Sequence, residues 1–269
     1  MEAAGDSFDA VHGSRRSSVS LLGDWAQSSL RAEPWRASYE LPRWQAHRGY
    51  HASGLTENSL AAVIEVAKQG AMMSEFDVRL TRDNVPVLFH DESLERITGR
   101  SGRLDEITLR ELRQFHPVST LEEVLSSRRA TKLFNIELKS EEAWNEPLER
   151  HVARVIRECE AEHRVLFSSF NPFSLWKMQN YLPQVPRALL VAPDLERQAL
   201  REMWLAPLLK LHLLHLDQRM VPATGTVIDW HRRGFKLAVW TVNDPQDIQK
   251  FWHWEVDSVI TDLLPPRLS

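Results

Sequence analysis

Two histidines, three carboxylates, an arginine and a lysine stand at or near the ends of apolar runs in this chain, most of them between Ala46 and Asp91. Glu75 and Asp77 are two apart in MMSEFDV, so on a strand both point to one face and can share a hard cation. Glu137, in KLFNIELK, would add a third oxygen from another strand, and oxygen-only ligation favours Mg²⁺ or Ca²⁺ over zinc. His47 and His90 are candidates for proton transfer, because imidazole titrates near neutrality. Arg48 can fork onto phosphate oxygens, and Lys139 can offer a point charge to negative charge developing on phosphorus. Gly49 lets the backbone turn sharply or approach a ligand. Such a set suits metal-assisted chemistry at a phosphodiester.

Each residue also has a plainer reading. An E-x-D on a strand is commonplace as a surface carboxylate or ion pair. Lys139 can simply pair with Glu137, although alternation puts both on one inward face, where an unneeded charge is costly. A histidine ending an apolar run is more often a hydrogen-bonded core residue, which suits His51, His116, His151, His163, His212, His215, His231 and His253, all outside the motif positions. The Leu-His alternation near residues 211 to 216 is explained as well by a barrel strand with polar and apolar faces as by a metal site.

The elements that must position these groups are short apolar or β-branched runs alternating with segments of helical period, the pattern of parallel strands joined by crossover helices. Eight candidate strands are WQAHRG, MMSEFDV, VPVLFH, KLFNIELK, RVLFSSF, RALLVA, LHLLHLD and KLAVWTV; a ninth run, SVITD, extends the last turn or displaces one of them. A helix is expected from Glu57 to Gly70 after Thr56, and another from Thr120 with a capping box to Glu123. Only LTRDN separates MMSEFDV from VPVLFH, too short for a crossover helix, so the connection there must be irregular. In a (β/α)₈ barrel the strands' C-terminal ends form the active site, so the seven residues would converge on one mouth.

Composition bounds the rest. A chain of 269 residues with 43% apolar content is near the roughly 250 residues of such a barrel, and one domain over 42–269 is the economical division. Residues 1–41, with GSRRSSVS and the helix candidate LLGDWAQSSL, are expected to form a partly ordered arm outside it. The net charge of −4, from 33 basic and 37 acidic residues, argues against a nucleic-acid partner. The single cysteine, Cys159, is read as filling a helix face, and no apolar run reaches the length of a membrane span. Lacking a secretory pattern at Met1–Asp6 as well, the chain is expected to be soluble and cytoplasmic.

The strings AHRGYHASGLTENSLAAV, SEFDVRLTRDNVPVLFHDESLERITG and FNIELK, followed by VWTVND and VDSVITD, resemble the glycerophosphodiester phosphodiesterase family over roughly residues 43 to 264. The resemblance implies a TIM barrel of the phospholipase-C-like phosphodiesterase type, irregular between its second and third strands. It implies hydrolysis of a glycerophosphodiester, with one divalent cation on Glu75, Asp77 and Glu137 and with His47 and His90 exchanging acid and base roles through a cyclic phosphate. By the same resemblance Glu57, of an element with Ser59 in place of the family's threonine, orients its neighbours, and Trp240 lines the pocket wall. The segment RSGRLDEITLRELRQFHPVS is shorter than the family's usual insertion, which suggests a more open mouth able to admit lysophospholipids. The rival readings are a cyclising phosphodiesterase of the sphingomyelinase D or phosphatidylinositol phospholipase C type, an idle phosphodiester-binding barrel, and a partner-binding protein acting through its N-terminal arm. Head-group preference, the choice of cation and the oligomeric state are left open.

Overall fold

The structure, a computed structural model, describes residues 18–51, 54–140 and 147–264. Residues 1–17 of the expected arm, Arg15 and Arg16 among them, lie outside the described residues.

Among the described residues nine strands run in chain order: β1 Trp44–Ala46, β2 Met73–Leu80, β3 Pro86–Leu88, β4 Leu133–Leu138, β5 Val165–Ser169, β6 Arg187–Val191, β7 Leu213–Asp217, β8 Lys236–Trp240 and β9 Ser258–Thr261. Eight of them are parallel neighbours, and β1 pairs with both β2 and β9, which closes the barrel. β3 is the exception. It pairs antiparallel with β2 alone among the strands, so VPVLFH is not a barrel stave and SVITD takes the eighth place. The LTRDN link is a hairpin turn closed by Thr81 N to Val85 O at 3.2 Å, with Asn84 at φ +59°. The irregularity between the second and third staves is this hairpin plus the excursion to residue 132, which carries a small apolar cluster of its own around Phe89, Leu94, Leu104 and Leu112.

Period-two alternation sorts the staves. Phe76, Val78, Phe134, Ile136, Leu214 and Leu216 face the helices in the main core, whereas Met73, Leu133, Leu166, Ala188 and Leu213 fill the floor of the barrel. The chain preceding β1 seals that floor. Leu41 packs there with Trp35 and Tyr39, and the Tyr39 hydroxyl donates to Val165 O at 3.0 Å. Above the floor lies a polar layer linked side chain to side chain: Gln45 donates to Ser258, Asn135 to Gln45, and Ser168 to Asn135, at 2.9, 3.0 and 2.9 Å.

The helix expected from Glu57 starts three residues later, as Leu60–Lys68 capped by Ser59. Asn58 sits at φ +51° and its side chain is bound to Asp77, so residues 57 to 59 form a loop over the barrel mouth. The capping box of Thr120 and Glu123 is present as expected. Trp176 is 48% exposed on the surface. No helix among the described residues is long and apolar enough to cross a membrane.

Candidate active site

Glu75 and Asp77 leave β2 on its inner face, and Glu137 and Lys139 leave the end of β4, so the pleat brings three carboxylates and an ammonium together. One ligand-capable oxygen from each of Glu75, Asp77 and Glu137 lies within 4.8 Å of the others, and all three residues are buried. Lys139 Nζ stands 3.0 Å from Asp77 Oδ1 and 2.5 Å from Glu137 Oε1. Asp77 Oδ2 accepts from Asn58 Nδ2 at 2.8 Å and lies 3.4 Å from Arg48 Nε. Glu75 Oε2 accepts from the Arg48 amide at 3.0 Å, whereas its Oε1 is buried without a partner among the described residues. The electrostatics follow from these contacts. Burial, with Asp77 alongside, pushes Glu75 up. Burial also raises Glu137, Lys139 opposing it, while for Asp77 Lys139 and Arg48 outweigh burial and hold it well below the usual carboxylate range.

The histidines are held alike from opposite sides. His47 Nδ1 meets Asp262 Oδ1 at 2.7 Å, and His90 Nδ1 meets Asp91 Oδ1 at 2.6 Å. An ionised carboxylate at Nδ1 fixes the tautomer whose Nε2 carries the lone pair, and both rings line one cavity. Asp262 is itself held by Asn243 Nδ2 at 2.6 Å. Asp91 and Glu57 share Arg96, at 2.5 and 2.7 Å, and Glu57 also takes Arg48 Nη1 at 2.9 Å. Glu57 thus ties the two flanks of the mouth through two guanidinium groups. Burial works against protonation of His47, but Asp262 and Glu75 outweigh it and its pKa rises; at His90 burial prevails and the pKa falls. Replacing Asp262 by Asn removes the charge that favours imidazolium, so the His47 limb of the pH–rate profile should move to lower pH. The limb from His90 should stay in place; unchanged limbs in a profile from pH 5 to 9 would show that Asp262 does not act through His47.

Backbone geometry fixes the first histidine. Arg48 and Gly49 both lie in the left-handed region, at φ +54° and +73°, and a Cβ on Gly49 would fall 2.8 Å from the Ala62 carbonyl carbon and 2.9 Å from Val63 N. Backbone atoms of a capped helix cannot yield as a side-chain tip would. Gly49→Ala should therefore cost about 1–3 kcal/mol in urea melting and reduce turnover by displacing His47; wild-type melting would contradict this.

The cavity, about 130 Å³, brings together His47, Arg48, Glu75, His90, Glu137 and Lys139, with Trp240 in its wall. Trp240 packs edge-on against Phe170 and donates from Nε1 to His215 O at 3.0 Å. Asp77 and Glu57 stand behind that lining, through the contacts above. All nine residues singled out in the sequence are thus gathered at the C-terminal mouth of the barrel. Sequence reasoning missed Asp262, Asn243, Asp91 and Arg96. The Asp91 signal was adjacency to His90, while Asp262, 215 residues from its histidine, left none.

Residues 47–264 match the glycerophosphoryl diester phosphodiesterase family. The chain is 30% identical to a glycerophosphodiester phosphodiesterase of Caldanaerobacter subterraneus subsp. tengcongensis, over 81% of this chain and 92% of that one. It is likewise 30% identical to a probable glycerophosphodiester phosphodiesterase 2 of Mycobacterium tuberculosis, over 81% and 86%. Among solved structures, it superposes on an Oleispira antarctica phosphodiesterase in complex with its product sn-glycerol 3-phosphate, with a TM-score of 0.73, 28% identity and coverage of 83% and 94%.

Proposed function

Because this chain belongs to the glycerophosphoryl diester phosphodiesterase family and is a phosphodiesterase, we propose that it hydrolyses glycerophosphodiesters to glycerol 3-phosphate and an alcohol at the cavity described above, using His47 and His90 and one divalent cation. The relative crystallised with sn-glycerol 3-phosphate supports the product assignment.

The observation that carries the reading is Glu75 Oε1, a buried carboxylate oxygen with no partner among the described residues, set beside Asp77 and Glu137. Burial penalises the charged forms of Glu75 and Glu137, and a cation would reverse that penalty, so the donor set fits Mg²⁺ or Ca²⁺. Held by Glu75, Asp77 and Glu137, such an ion would supply Lewis-acid neutralisation of the phosphate and of the attacking hydroxyl. Arg48 and Lys139 would add fixed positive charge on the same side of the phosphate, Glu57 and Asp77 keeping Arg48 in place. One imidazole Nε2 would take the proton of the glycerol hydroxyl as its oxygen bonds to phosphorus; the other would give a proton to the departing alcohol oxygen as that bond breaks. With the roles exchanged, water would then open the cyclic phosphate.

Phosphorus NMR of glycerophosphocholine turnover tests the reaction class. Glycerol 3-phosphate should accumulate as the end product. A persistent cyclic phosphate would mark a cyclising enzyme, and an unchanged diester in every metal tried would mark a binding barrel.

A further inference from the structure

Among the described residues, His215 is the one member of the barrel's interior polar layer left out of its network. Gln45, Ser258, Asn135 and Ser168 are bonded to one another, yet His215, 0% exposed on β7, has neither ring nitrogen paired among the described residues. Its neighbours on the strand explain where it points. Leu214 and Leu216 face the helix layer and Leu213 the floor, so the imidazole lies inside the barrel one step above that floor, and it lines the same cavity as His47, Glu75 and Lys139. A buried polar group without partners is costly, and the barrel bears that cost where a ligand would enter.

We infer that His215 binds the terminal hydroxyl of the substrate's glycerol from the bottom of the cavity, a specificity-determining contact that rests on the glycerophosphodiester reading above. The chemistry selects a hydroxyl. Burial drives the His215 pKa down to about 3, so the ring is neutral at working pH and offers one donor and one acceptor, the complement of an alcohol and a poor match for phosphate. Arg48 and Lys139 already supply the cationic side of the cavity, and the metal-capable carboxylates do not include His215. The apolar partners around it, Leu190, Ile260 and Trp240, suit the carbon face of a short polyol. Acylating that hydroxyl, as in a 1-acyl lysophospholipid, would remove the donor and direct a chain towards the closed floor. The site therefore selects deacylated diesters.

The test compares glycerophosphocholine with the analogue in which propane-1,2-diol replaces glycerol, keeping the attacking hydroxyl and removing only the terminal one. Wild-type protein should favour glycerophosphocholine by about tenfold in kcat/KM, carried by KM. In His215→Leu the preference should collapse to about onefold through loss on glycerophosphocholine alone, whereas His215→Gln, which keeps a donor and an acceptor, should retain part of it. A merely structural histidine would depress both substrates equally and leave their ratio intact, and that result overturns the inference. Should His215→Leu fail to fold, equal kcat/KM on the two substrates in the wild type overturns it as well. Absence of any turnover of glycerophosphocholine by the wild type would instead sink the underlying reading, and this inference with it.

Discussion

His47→Ala and His90→Ala should each lower kcat on glycerophosphocholine by about 10²- to 10⁴-fold, with little change in thermal melting. The magnitude follows from what each ring would do. With Nδ1 tied to a carboxylate, each presents Nε2 to the cavity as a positioned proton carrier, and no other histidine with such a partner lines it among the described residues. The fold should tolerate both changes, since the two side chains are partly exposed at the mouth and outside the packed core. Because the proposed transfers act in one reaction, the double variant should be little slower than the worse single one. A loss smaller than tenfold in both single variants would remove the two-histidine mechanism while leaving the phosphodiesterase assignment in place.

The second large effect concerns the carboxylates. Wild-type protein stripped with EDTA should lose nearly all activity, and Glu75→Gln or Asp77→Asn should not recover it at millimolar Mg²⁺ or Ca²⁺. The same variants should also lose a readout independent of turnover. A cation that binds only the folded chain raises its stability by about 2.7 kcal/mol at a hundred times its Kd, so the wild-type melting temperature should climb with metal and those of the variants should not. Asp77 is the more demanding position. Its carboxylate accepts from Asn58 and faces both Lys139 and Arg48, so Asp77→Asn would also leave two half-buried cations short of a counter-charge. Glu75→Gln is the cleaner probe, because Glu75 Oε1 has no partner to lose among the described residues. Equal metal-induced shifts in wild type and Glu75→Gln would place the ion elsewhere.

Much of this site was legible in the sequence because the barrel turns linear spacing into direction. A two-residue step on a strand put Glu75 with Asp77 and Glu137 with Lys139, and apolar runs ending in His-Arg-Gly or His-Asp put the histidines at strand ends. What stayed hidden depends on partners distant in the chain or on backbone conformation. VPVLFH reads as a stave because a buried apolar run looks the same in parallel and antiparallel pairing; only the shortness of LTRDN pointed to a hairpin. The helix expected at Glu57 was misplaced because the tie between Asn58 and Asp77, which holds Asn58 in a left-handed conformation, spans 19 residues. Asp262 reaches His47 only when β9 closes against β1. His215 looked like an ordinary core histidine; that its ring has no partner among the described residues is a property of the packed barrel alone.

The most direct measurement is the rate of glycerol 3-phosphate release from glycerophosphocholine by wild type and Glu75→Gln, each with Mg²⁺, Ca²⁺ or EDTA. Metal-dependent release by the wild type, absent from the variant under all three conditions, is the predicted result. Release that persists in EDTA, or that survives in Glu75→Gln, would contradict a cation-assisted diesterase built on Glu75, Asp77 and Glu137.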